Sequence, residues 1–114
     1  MKAELESGQG IIASNVRRAK GFFGRLRGLM YRRELPDGEA LLIEPCDSIH
    51  TFGMRFAIDV IFLDAKGVII KALRSLKPGK VIRPVAGGCA VLEMNAGSLP
   101  PDLNVEGKVV RFSN

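Results

Sequence analysis

The chain has 114 residues, of which 46% are hydrophobic and 25% are charged, as is typical of one soluble globular domain spanning residues 1–114. No apolar run approaches the roughly 20 residues of a membrane helix, and the first residues lack a signal-peptide pattern, so we expect no membrane insertion and a cytoplasmic location. The net charge of +5 is too modest to favour nucleic acid as a partner, and both cysteines are expected to be thiols.

The N-terminal part of the chain predicts a short strand region. Residues 1–10 are polar and contain glycine, and we expect them to fray. Ile11–Ala13 and Val16–Ala19 are apolar or mixed segments on either side of the turn-prone pair Ser14-Asn15. This pattern predicts a short strand region around the turn.

A helix is predicted from Gly21 to Tyr31. Apolar side chains recur there with the helical period, at Phe22, Leu26, Leu29 and Met30. Gly24 and Gly28 indicate that the helix backbone lies close against a sheet. The basic residues from Arg17 to Arg33 are best explained as a solvated helix face with arginines that pair with core carboxylates. The alternative is a patch for nucleic acid, anionic lipid or an acidic partner.

The rest of the chain predicts short strands joined by turns. These strands are Ala40–Glu44, Phe56–Leu63, Val68–Leu73, Val81–Ile82, Ala90–Met94 and Lys108–Phe112. Asp64–Gly67 has the composition of a hairpin loop with glycine at its end. Because most neighbouring strands are connected by hairpins, we predict a mainly β fold, a small antiparallel barrel or sandwich with the short helix packed on the sheet.

Two carboxylates fall within apolar strands. Alternation places Asp59 on the face of Ile61, and it places Glu93 on the face of Val91. A buried carboxylate must be hydrogen-bonded or paired, and the candidate partners are Arg25, Arg27, Arg55 and His50. We favour arginine–carboxylate pairs that hold the helix on the sheet; a pair of carboxylates used in acid–base chemistry is the alternative.

The turn before the predicted strand Phe56–Leu63 contains the only histidine and one of the two cysteines. Because a nearby imidazole lowers the pKa of a thiol, Cys46 and His50 are candidate catalytic residues, and Asp47 or Asp59 could orient the imidazole. The alternative is a small buried cysteine and a histidine that bonds the turn backbone. No Cys-x2-Cys or His-x3-His spacing accompanies them, so we predict no metal and no cofactor.

Three segments stand out together: Arg25–Met30, Cys46–Asp64, and Val91–Gly97 followed by Glu106–Val109. In this order they resemble the uncharacterised family catalogued as domain of unknown function 192, over nearly the whole chain. The resemblance implies a compact, mostly β, jelly-roll-like domain with a short helix and no established activity. The residues that match the family motif are Arg25, Gly28, Leu29, Met30, Met54, Asp59, Glu93 and Gly97.

Within this family Cys46 and His50 match only one branch, so a role for them would be specific to that branch. We therefore expect a small non-enzymatic binding or accessory domain, a monomer or homodimer, whose partner is a small molecule or peptide. Its predicted polar pocket is built from His50, Met54, Arg55, Asp59 and Glu93, and its structural residues are Arg25, Gly28, Asp59 and Gly97. The alternative is a small hydrolase or transferase that uses Cys46 and His50.

Overall fold

The computed structural model describes residues 1–8, 10–19 and 35–114. Ten strands are distributed over the described residues. They are β1 (Lys2–Leu5), β2 (Gly10–Ala13), β3 (Asn15–Ala19), β4 (Glu39–Ile43), β5 (Ile49–His50), β6 (Ile58–Leu63), β7 (Ile69–Leu76), β8 (Val81–Ile82), β9 (Ala90–Asn95) and β10 (Val110–Ser113). Within those ranges the helical structure is a single 3-10 turn at Glu6–Gly8, and no helix there is long and apolar enough to cross a membrane.

A five-stranded sheet with the order β3-β4-β9-β6-β7 forms the centre of the molecule. β6 pairs antiparallel with both β7 and β9, and β9 pairs antiparallel with β4. β3 instead pairs parallel with β4, so the prediction of an antiparallel sheet is wrong for this pair. A parallel pair requires a crossover of a dozen or more residues, and the chain between β3 and β4 has that length.

Both faces of the central sheet are buried. All six residues of β6 are buried, and they alternate between two hydrophobic cores as the sequence predicts. Ile61 and Leu63 contribute to the core shared with the three-stranded sheet. Val60 and Phe62 contribute to the second core, on the opposite face. The strand that follows the Cys46–His50 turn is therefore buried between the two cores.

The three-stranded sheet has the order β10-β1-β2 and covers one face of the central sheet. The expectation that residues 1–10 fray is wrong for β1, which lies between two strands and buries Ala3 and Leu5. Its stability depends on pairing with β10 at the other end of the chain, and the local composition does not reveal such a partner.

The third sheet consists of β5 and β8 alone. Because the three sheets are separate in the part of the chain that the structure describes, their strands do not close into a barrel. The mainly β class is confirmed. The predicted helix over Gly21–Tyr31 lies outside the described residues.

Candidate functional site

The β5–β8 pair brings together two segments that are distant in sequence. Ile49 lies opposite Ile82, and His50 lies opposite Val81. Thr51, which is fully buried, holds the adjoining loop in place: its hydroxyl donates to the carbonyl of Lys77 at 2.8 Å and accepts the amide of Lys80 at 2.8 Å. The sheet is short, but this buried hydroxyl fixes the position of β8.

A cleft of about 560 Å³ lies along this pair and is called the β5–β8 cleft below. Its apolar lining consists of Ile43, Pro45, Ile49, Phe52, Val81, Ile82 and Pro84. Its polar lining consists of Cys46, Asp47, Ser48, His50 and Arg83. Sites for small ligands typically have this size and this combination of an apolar wall with a few polar groups.

Two large apolar side chains at the cleft are exposed to solvent. Phe52 is 53% exposed and Val81 is 61% exposed. The imidazole of His50 lies beside the ring of Phe52, with the ring centroids 5.8 Å apart and the planes tilted by 36°. An aromatic ring, an imidazole and an aliphatic side chain therefore form one accessible surface.

Cys46 and His50 both line the cleft, as the sequence analysis required of a catalytic pair. The thiol of Cys46 donates to the carbonyl of Ser48 at 3.0 Å. Only a protonated sulfur can donate, so this bond favours the thiol over the nucleophilic thiolate. The geometry brings the two residues to one cleft, where the Cys46 thiol is bonded to the backbone of Ser48.

Asp59 belongs to a different part of the molecule. It is 1% exposed, and its carboxylate accepts the backbone amides of Ser75, Gly97 and Leu99 at 2.9, 3.0 and 3.1 Å. The predicted burial is confirmed. Among the described residues the donors to Asp59 are these three peptide groups, and because Arg25 and Arg27 lie outside the described residues, the pairing with an arginine stays a prediction. These bonds connect β6 to β7 and to the turn after β9.

Glu93 faces the opposite side of the central sheet from Asp59. It is fully buried, and in the register it lies opposite Leu41 and Val60, which point into the second core. Asp59 lies opposite Met94, which points into the first core. Two carboxylates on opposite faces of one sheet cannot share a ligand.

The structure therefore does not bring the five predicted pocket residues together. Of these five, His50 alone lines the β5–β8 cleft. Met54 is buried in the second core, and Arg55 is exposed. Among the predicted structural residues, Gly97 has a φ of +92°, which favours glycine, and its amide binds Asp59. Arg25, Arg27 and Gly28 lie outside the described residues.

The sequence analysis missed two parts of the cleft, Phe52 and the segment Val81–Pro84. The segment Val81–Pro84 carries no motif, and its proximity to Cys46 and His50 follows from the β5–β8 pairing. The exposed aromatic ring beside the single histidine is the one local signal that points to this surface. Among the described residues, no group of three His, Cys, Asp or Glu side chains is arranged to hold a metal ion.

Comparison with known proteins gives a family and a fold. The family model DUF192, described as an uncharacterized ACR, matches residues 3–112, which confirms the resemblance seen in the sequence. No curated protein matches the chain.

Two solved structures are similar to this one, each at 22% sequence identity. The first is a protein of unknown function from Novosphingobium aromaticivorans DSM 12444, with a TM-score of 0.75 over 98% of this chain and 84% of that one. The second, from Sinorhizobium meliloti 1021, is described as a candidate transcription regulator, with a TM-score of 0.74 over 96% of this chain and 91% of that one. At this identity the similarity shows the fold alone.

Proposed function

We propose that this chain, which belongs to the DUF192 family of uncharacterised proteins, is a non-enzymatic binding domain that holds a small molecule or a short peptide segment in the β5–β8 cleft. The observation that carries the proposal is the cleft itself: about 560 Å³, walled mainly by apolar side chains, with His50, Asp47 and Arg83 as polar groups that can orient a ligand.

Two exposed apolar side chains at the β5–β8 cleft support this proposal. Large apolar side chains that stay accessible on a small domain mark surfaces that make contacts. Phe52 and Val81 lie on the same cleft, and each exposes more than half of its surface, at 53% and 61%. A ligand with an apolar body and one or two hydrogen-bonding groups fits this surface best.

The test is a screen of a fragment library and of short unstructured peptides by thermal shift, followed by amide chemical-shift mapping. A ligand of the native state raises the melting temperature by mass action. We expect the amides of residues 46–52 and 81–83 to shift, and we expect Phe52→Ala and Val81→Ala to abolish the response.

Ile11→Ala is the matched control, because Ile11 is a similarly exposed apolar side chain, at 58%, on a different sheet. Binding should survive in this variant. Shifts that map away from the cleft, or equal losses in all three variants, would reject the cleft as the binding site.

A cysteine-dependent hydrolase or transferase is the second candidate, because Cys46 and His50 line one cleft. The rate of Cys46 alkylation against pH, measured in a Cys89→Ser background, separates the two functions. The binding proposal expects an ordinary thiol, which reacts with a midpoint near pH ~8.5. A midpoint well below that value, which moves upward in His50→Ala, would favour the enzyme.

The other expectations accompany the binding proposal. The chain acts as one cytoplasmic domain over residues 1–114, monomeric or homodimeric, without a cofactor and without nucleic acid as its partner. We also propose that the packing of the three-stranded sheet on the central sheet is the jelly-roll-like sandwich expected from the family resemblance, with the predicted helix packed on the sheet.

A further inference from the structure

The two cysteines of the chain are neighbours in the fold although they are far apart in sequence. The amide of Cys46 donates to the carbonyl of Cys89 at 3.1 Å. The bond runs one way, because the amide of Cys89 donates to the carbonyl of Leu63 at 2.8 Å. A single peptide hydrogen bond still brings the two backbones into contact, and a disulfide requires α-carbons about 4.4–6.8 Å apart, so the two cysteines are close enough for a disulfide to be tested.

Two further contacts hold the segments together. The amide of Val85 donates to the carbonyl of Asp47 at 2.8 Å. A Cβ atom placed on Gly88 would lie 3.1 Å from Cβ of Asp47 and 3.0 Å from the carbonyl oxygen of Val85. A larger residue at position 88 would require these neighbouring atoms to shift by a few tenths of an ångström. Glycine at this position therefore allows the close approach of the two segments that carry the cysteines.

Alternation along the chain places Cys89 on the same side of the central sheet as Cys46. Cys46 packs against the second core, which contains Val91. Cys89 precedes Val91 by two residues in the segment that leads into β9, and residues two apart on an extended chain share a face. Both residues are thiols in the structure; Cys89 is exposed and Cys46 is half-buried.

We infer that Cys46 and Cys89 are a thiol pair that forms a reversible intramolecular disulfide when the protein meets a low-molecular-weight disulfide. The thiolate of exposed Cys89 attacks the small disulfide, which releases one small thiol and leaves a mixed disulfide on Cys89. The sulfur of Cys46 then leaves the carbonyl of Ser48, loses its proton and displaces the second small thiol. Two protein thiols are oxidised and one small disulfide is reduced to two thiols.

The test is equilibration of the native protein with oxidised and reduced glutathione, followed by acid quenching and intact mass analysis. We expect the loss of two hydrogen atoms, a cross-linked peptide pair that contains positions 46 and 89, and full reversal by excess reduced glutathione. Cys46→Ser should instead accumulate the mixed disulfide at Cys89, because the displacing sulfur is gone. Cys89→Ser should react slowly.

The control repeats the equilibration with oxidised and reduced glutathione on the protein unfolded in denaturant. There the two thiols meet by chance alone. The fold should raise the effective concentration of one thiol at the other by at least about tenfold over the unfolded chain. The inference would be overturned if the effective concentration were equal in the native and the unfolded protein. A stable glutathione adduct on Cys89 of the unsubstituted protein would also overturn it, and so would disulfide-linked dimers. None of these readouts depends on a ligand in the β5–β8 cleft.

Discussion

The carboxylate of Asp59 accepts the backbone amide of Ser75 at 2.9 Å, at the place where β7 contains one residue more than β6 can pair. The register of the two strands leaves Arg74 and Ser75 opposite Asp59 alone, which is a β-bulge. Ser75 has a φ of +50°, a conformation that residues other than glycine rarely adopt. The carboxylate thus satisfies an amide that the bulge removes from the ladder.

Removal of the Asp59 carboxylate should strongly destabilise the fold. Asp59→Ala leaves the amides of Ser75, Gly97 and Leu99 without their acceptor, and each buried unsatisfied amide costs about 1–3 kcal/mol. We expect a loss of about 3 kcal/mol or more in the free energy of unfolding, measured by urea denaturation. Asp59→Asn, which keeps one carbonyl acceptor, should lose less.

Asp102→Ala is the control for this experiment, because Asp102 is an exposed aspartate on the loop after β9. Its cost should stay within about 0.5 kcal/mol. If Asp59→Ala and Asp102→Ala cost the same, the bonds to the three amides contribute nothing to stability.

The bulge itself can be tested at Ser75. Proline at this position removes the amide that binds Asp59 and cannot adopt a φ of +50°, so Ser75→Pro should cost roughly 2 kcal/mol or more. Ser75→Gly keeps the amide and accepts the backbone conformation, so it should change stability by less than about 1 kcal/mol. Thermal denaturation of both variants measures the two losses of stability. Similar losses for Ser75→Pro and Ser75→Gly would mean that the Asp59–Ser75 bond is unimportant.

Thr51 should prove necessary for the position of β8. Thr51→Val keeps the shape of the side chain but removes the hydroxyl that binds Lys77 and Lys80, at a cost of about 1–3 kcal/mol. Hydrogen exchange at the Lys80 amide should accelerate more than exchange in β6 or β9. Thr51→Ser, which retains the hydroxyl, should leave the Lys80 amide protected. Uniform acceleration across the protein would instead indicate a global loss of stability.

Glu106 covers the outer edge of the central sheet. Its carboxylate accepts the amide of Ala72 at 2.9 Å, on β7, which is the terminal strand of that sheet. Exposed strand edges promote pairing between chains. Glu106→Ala should therefore increase self-association at high concentration, measured by light scattering, with less than about 1 kcal/mol lost in stability.

Glu106→Gln is the matched variant, because its amide oxygen can still accept the bond from Ala72. It should stay as monodisperse as the unsubstituted protein. Equal self-association of the two variants would show that the charge of Glu106, rather than its bond to β7, suppresses association.

The sequence predicts β6 and β9 well because alternation is a local pattern. The faces assigned to Asp59 and Glu93 are correct, and so is the burial of both side chains. Their separation onto opposite faces depends on the register between β6 and β9, which pairs Asp59 with Met94 rather than with Glu93. A register between distant strands cannot be obtained from either segment alone, which is why the predicted pocket combined residues that do not meet.

The partners of Asp59 could not be predicted for a related reason. Backbone amides are present at every residue but proline, so no side-chain pattern marks Ser75 or Leu99 as donors. Their arrangement depends on a bulge in β7 and on the turn after β9. The second segment of the β5–β8 cleft was missed in the same way, since Val81–Ile82 is too short to carry a period.

The pairing of β1 with β10 places the two ends of the chain side by side, with Lys2 opposite Ser113. A short flexible linker between residues 114 and 1 would therefore bridge a small gap. New ends could be opened at the exposed turn that contains Ala65 and Lys66, since exposed loop tips tolerate chain breaks best. Such a circular permutant would give β1 and β10 a local connection and would separate β6 from β7 in chain order. It would retain the same sheets, since their neighbours in space are unchanged.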